Sequence, residues 1–171
     1  MTAYVALLRA VNVSGTGKLP KEDLKAMGEA CGFDNVRTFI NSGNLLFTSE
    51  LGEAEVHGRF AKAVEEYFRR PVKVLVRSAA EMAEAAAANP FPDDRPAGVM
   101  ANFIDDKPAQ AMLDEARDVR GERMALGPRL IYVSYGQGIA DSRLKLPALK
   151  QGTARNMNSV AKIAELLAGM E

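Results

Sequence analysis

The sequence predicts an α+β protein built of two halves, on three observations. Val36-Arg37-Thr38-Phe39-Ile40 and Leu45-Leu46-Phe47-Thr48 are apolar runs joined by the polar turn Asn41-Ser42-Gly43-Asn44, a strong hairpin signal. Val56, Phe60, Val64 and Phe68 recur every four residues, the buried stripe of an amphipathic helix. The order of strand-like and helix-like segments over the first 77 residues is then partly echoed in the rest.

Tyr4 to about Arg9 is the first strand. After a polar loop, Pro20 suits the first turn of a helix, where a missing N–H costs nothing. Leu24, Met27 and Cys31 share one face of that helix, and Gly32-Phe33 is a C-terminal stop. The hairpin supplies apolar residues to both of its faces, which places it centrally in a sheet. A second helix covers about Glu53 to Arg69, Pro71 ends it, and Val72 to Val76 alternates as a strand. Residues 1–77 therefore read β-α-β-β-α-β, the ferredoxin-like order.

Ser78 and Glu81 form a capping box for a helix from Ala79 to about Ala88. The segment 89–96 holds three prolines and reads as a rigid loop. Val99 to Ile104 is a strand. Pro108 opens a helix with Met112, Leu113, Ala116 and Val119 inward. A second hairpin, Arg123 to Tyr135, turns at Gly127-Pro128. A last helix carries Val160, Ile163, Leu166 and Leu167. Residues 78–171 thus read α-β-α-β-β-α, a second, incomplete half lacking the closing strand. The expected architecture is two ferredoxin-like α/β-sandwich halves.

With 171 residues the chain is long enough to bury a core without staples. Lys+Arg and Asp+Glu are 22 each, so bulk charge favours neither nucleic acid nor membrane. The charges are nonetheless segregated. Ser142 to Ala164 holds five bases and no acid, while Glu81 to Glu122 holds ten acids against four bases. Such segregation builds local fields in a neutral protein. One cysteine fits a reducing compartment. No apolar run of about 18 residues occurs and no signal peptide is readable, so the expected location is cytoplasmic, with no membrane contact.

Several motifs together resemble one bacterial family, the domain of unknown function 1697. They are Ala6-Leu7-Leu8-Arg9-Ala10-Val11-Asn12-Val13, Val36-Arg37-Thr38-Phe39 running into Ser42-Gly43-Asn44, Asn89-Pro90-Phe91, and Thr153-Ala154-Arg155-Asn156. They span essentially the whole chain in the family's order. The resemblance implies an α+β fold of two ferredoxin-like halves and implies no activity. The chain departs from it at Met157 and Asn158, where the family often has an aromatic residue.

The residues point to a binding protein for an anionic ligand, either a phosphate-bearing metabolite or an RNA segment. Thr153 to Asn156 stands just before or at the start of the last helix, whose N-terminus can hold an anion, with Arg155 adding a bidentate contact. The expected ligand set is Arg9, Asn12, Ser42, Asn44, Arg155 and Asn156, with Lys18, Ser142 and Lys145 as secondary candidates. A plain capping role for Thr153 or Asn156 is the competing account. The loop Asn12 to Lys18 fails the phosphate-loop pattern, with Asn12 where glycine is required and Leu19 where Ser or Thr is required. RNA would use rings such as Tyr132 and Tyr135, or Phe39 and Phe47. An enzyme acting on a phosphorylated or carboxylate small molecule, and a protein-interaction module, are the alternatives. One His and one Cys make no zinc set or Cys-His pair, and no cofactor motif is readable.

Overall fold

The computed structural model of the chain describes residues 1–9, 18–40, 43–136 and 138–171. In order these form β1 (Thr2–Leu8), α1 (Lys21–Ala30), β2 (Asp34–Thr38), β3 (Asn44–Ser49), α2 (Glu53–Phe68), β4 (Val74–Ser78) and α3 (Ala79–Ala87). Then come β5 (Val99–Phe103), α4 (Gln110–Asp114), β6 (Arg123–Gly127), β7 (Leu130–Ser134), β8 (Thr153–Asn156) and α5 (Met157–Ala168). The strands make two four-stranded antiparallel sheets, ordered β2-β3-β1-β4 and β6-β7-β5-β8. The fold is α+β. The chain divides into a first unit, Met1–Ala80 with Ile163–Glu171, and a second, Glu81–Lys162. The division is therefore not a single cut in sequence.

In the first unit, β1 is buried on both faces, as its unbroken apolar run requires. One face carries Tyr4, Ala6 and Leu8 beside Leu45, Phe47, Val74 and Val76. Leu24 of α1 and Val56, Phe60 and Val64 of α2 cover it. Each of those three α2 side chains is fully buried, worth about 1.5–3 kcal/mol apiece. Gly32 stops α1 in the left-handed region at φ 86°, and Phe33 folds back to stack on Phe47 with centroids 4.1 Å apart. The carboxylate of Glu171 accepts a 3.1 Å hydrogen bond from the backbone N–H of Ala3.

The hairpin is not central as a whole. β3 is interior, but β2 is the edge strand and largely exposed. Ile40 leaves the strand at φ 60° and is 54% exposed, so the apolar residues read as a second buried face belong to the approach to the turn. Asn41 and Ser42 lie outside the described residues.

The second unit holds a strand that the expected order lacks. β8 pairs antiparallel with β5, placing Arg155 opposite Ala101 and Asn156 opposite Met100. It closes a sheet of four strands, not three. Hydropathy does not announce it, because its buried positions are Thr153 and Arg155. The helix after β5 is also shorter than expected. α4 stops at Asp114, and Val119 is 44% exposed, because Arg117 leaves the helix to bridge with Lys145. The proline-rich loop is tied down through Asp94, whose carboxylate accepts from the Ser134 hydroxyl at 2.6 Å and pairs with Arg123.

Candidate functional site

The described candidate residues fall in both units. Arg9 and Asn44 belong to the first; Arg155, Asn156, Ser142 and Lys145 belong to the second. Asn12 lies, with Ser42, outside the described residues, as does the rest of the loop up to Gly17. Lys18 is exposed.

Local structure explains most of these positions. Arg9 is half-buried just past β1, its N–H bonded to the Lys73 carbonyl at 3.0 Å. Asn44 opens β3 fully buried, and its side-chain amide donates to the Phe39 carbonyl at 2.9 Å, pinning the hairpin. Arg155 is a strand residue. It is 6% exposed, and its Nη1 donates to Thr153 Oγ1 at 2.7 Å and to the Ala154 carbonyl at 2.9 Å. Burial pulls its pKa down to about 10, so it remains charged at neutral pH. The Asn156 side chain accepts from the Ser159 N–H at 2.9 Å, an N-cap on the first turn of α5. The capping account thus holds for Asn156. Ser142 donates to the carboxylate of Glu122 and accepts from the Leu144 N–H.

The rings expected to stack bases are largely structural. Phe47 and Tyr132 are buried, and the Tyr132 hydroxyl donates to the Ala85 carbonyl at 2.6 Å. Burial, aided by the charge of Glu84, pushes its pKa up to about 12. Phe39 and Tyr135 are half-buried. His57 is half-buried. Its Nε2 donates to the Val74 carbonyl at 2.9 Å. Cys31 sits half-buried at the margin of the first core, and burial pushes its thiol pKa up. Among the described residues no three His, Cys, Asp or Glu side chains converge on a metal position. Among them, too, no helix is long and apolar enough to cross a membrane.

What the second unit does assemble is a cleft of about 590 Å³. Leu144, Leu146, Pro147 and Leu149 give it an apolar floor, and Arg117, Lys145 and Lys150 stand around it with one acid, Glu115. Two backbone hydrogen bonds of 2.9 Å between Arg117 and Lys145 tie the chain after α4 to the segment before Pro147. Pro147 starts a short three-ten turn, Pro147–Gln151, and Leu146 reaches down to pack with Ile104, Ile131 and Val133. A smaller hollow of about 180 Å³ shares Glu115 and Pro147 and extends toward Ile104 and Met112. Of the cleft's cations, only Lys145 stands among the candidates that sequence supplies. Arg117 is hidden in the segment whose acids outnumber its bases. Only its bridge to Lys145 brings it here.

A second depression, of about 410 Å³, lies beside Glu122, Tyr135 and Asp141. It is less open to new chemistry, because the Glu122 carboxylate is already held by the Ser142 hydroxyl and the Arg120 N–H.

The family model described as protein of unknown function (DUF1697) matches residues 1–132. No curated protein matches the chain. Among solved structures, the chain is similar to the conserved bacterial protein SP0830 from Streptococcus pneumoniae. The TM-score is 0.78 at 23% identity, over 97% of this chain and 98% of that one. That likeness concerns the fold.

Proposed function

The chain belongs to the DUF1697 family of proteins of unknown function, and we propose that it is a binding protein for an anionic ligand that also carries apolar surface. The observation that supports this is the cleft of the second unit, where Arg117, Lys145 and Lys150 stand over Leu144, Leu146 and Leu149. Pockets of this size that combine an apolar lining with a few polar groups take small organic ligands. The cations supply charge and steering, and the leucines supply the area removed from water. Of the residues expected from sequence, Lys145 is in this set. Asn44 and Asn156 already spend their side chains on the hairpin and the helix cap. We read each unit as ferredoxin-like, a reading supported by the β-α-β-β-α-β order of the first and by the matching strand order of the second.

The test is a thermal-shift screen of wild type and Lys145→Ala/Lys150→Ala against medium-chain carboxylates, acyl phosphates, nucleotides and inorganic phosphate. A ligand at a hundred times its dissociation constant adds about 2.7 kcal/mol, a rise of roughly 5–11 °C for a chain of this size. The expected result is a rise with compounds that join an anion to an apolar group, reduced in the double variant. Equal response to inorganic phosphate alone, or none to any compound, removes this reading.

A further inference from the structure

The two units differ most where one element is replaced. In the first, α2 occupies the place in chain order between β3 and β4, and it lays Val56, Phe60 and Val64 on the sheet. In the corresponding stretch of the second, between β7 and β8, the described residues form two three-ten turns, Ile139–Asp141 and Pro147–Gln151. Its partner helix is short as well, five residues of α4 against ten of α1.

The cores record the difference. Among the described residues, the core between the first sheet and its helices gathers thirteen buried apolar side chains. The matching cluster of the second holds four, Ile104, Ile131, Val133 and Leu146, and leaves Met112, Leu113, Leu144 and Leu149 only partly covered. The cleft is lined by Leu144, Leu146 and Leu149 of this cluster.

We infer that the cleft is the docking place of one amphipathic helix from a partner protein, with acidic flanks and apolar anchors four residues apart. The inference rests on the reading above and names its ligand: the anionic groups are carboxylates of a helix. Two observations carry it. First, α2 shows what covers this face in a closed unit, a helix whose apolar stripe repeats every four residues. Second, charge selects the flanks. Arg117, Lys145 and Lys150 outnumber Glu115 and Asp118, the latter 4.0 Å from the Lys145 ammonium, and Ser142 to Ala164 contains no acid. α2 itself is of that kind, with Glu53, Glu55, Glu65 and Glu66 against Arg59 and Lys62. The volume holds the anchors of such a helix, not its whole girth.

The test uses the full chain and a fluorescein-labelled peptide of residues 53–68, followed by fluorescence anisotropy. An isolated helix of this length is marginal in water, so part of the binding free energy goes to ordering it. The expected result is saturable binding that falls about tenfold when Arg117→Glu/Lys145→Glu replaces wild type. A similar fall is expected when the peptide carries Phe60→Asp. Both protein side chains are exposed, and circular dichroism and Tm serve to show that the variant folds. Decyl phosphate is titrated in parallel by calorimetry. Binding of decyl phosphate without binding of peptide overturns the helix and leaves the small-ligand reading standing. Peptide binding indifferent to the charge reversal also overturns it, because the peptide then sits elsewhere, as it would by displacing α2. Failure of both probes overturns both readings.

Discussion

Arg77 and Arg155 hold the same position in the two sheets. Each is the penultimate residue of its sheet's last strand, and each pairs with the centre of the first, Val5 for one and Ala101 for the other. Each gives its Nη1 to the carbonyl of the residue before it, at 2.8 and 2.9 Å. Both are buried, at 1% and 6% exposure. A guanidinium in such a place costs desolvation, and its long stem fills volume. The two contributions separate by substitution. Arg155→Ala leaves a cavity and is expected to lose about 2–4 kcal/mol. Arg155→Met keeps most of the volume and removes the charge, and is expected to stay within about 1 kcal/mol of wild type. Urea denaturation of both variants checks this. Equal losses would show that the hydrogen bonds, and not the stem, carry the position.

Gly152 stands immediately before β8, and a Cβ built on it would meet the Phe103 carbonyl oxygen at 1.9 Å. That neighbour is backbone in a paired strand and cannot step aside. Gly152→Ala is therefore expected to destabilise the second unit by about 1–3 kcal/mol or more. The measurement is thermal unfolding beside Gly52→Ala, a helix-cap glycine whose Cβ would meet nothing within 4 Å and whose φ is −74°.

Glu122 is held below the ordinary carboxylate range, first by the Ser142 hydroxyl and then by the Arg120 N–H. Its folded pKa lies under its unfolded one. The stability it contributes is present above the unfolded value, near pH 4.3 or so, and is lost as pH falls through the folded value. Ser142→Ala takes away the largest cause, so the pKa rises toward the unfolded value. A Tm profile between about pH 6 and pH 2 should show a shallower acid decline in Ser142→Ala than in wild type. Identical slopes would mean that the hydroxyl does not stabilise the carboxylate.

Tyr132 should be the last tyrosine to ionise. Its hydroxyl is buried against the Ala85 carbonyl and its pKa is pushed up to about 12. Alkaline absorbance titration of wild type and Tyr132→Phe should differ only in the highest step. The same variant leaves that carbonyl without its donor, an expected cost of about 1–3 kcal/mol.

Sequence legibility tracked apolar periodicity and turn chemistry. The α2 stripe, the Gly32 stop and the turn at Gly127-Pro128 are readable because each rests on a local period or on the distinctive backbone freedom of Gly or restriction of Pro. β8 was not, since it hides two polar side chains, Thr153 and Arg155, where a buried strand ordinarily shows apolar ones. The edge position of β2 is a property of its neighbours, which no local pattern encodes. For the cleft, Lys145 was visible as part of an acid-free segment. Arg117 was masked by the acids around it, and only tertiary pairing sets the two side by side.

The hydrogen bond between Glu171 and Ala3 has a meaning for synthesis. During translation, β1 to β4 leave the ribosome early and can pair at once through short connections. Ile163–Glu171, which belongs to the same unit, is made after every strand of the second sheet. The first unit therefore waits, with part of its final surface uncovered, while the second is threaded out. Contacts of such sequence separation form late and slow folding. The newly made chain is accordingly most exposed to misassociation, or to a chaperone, in the interval before residues 163–171 arrive.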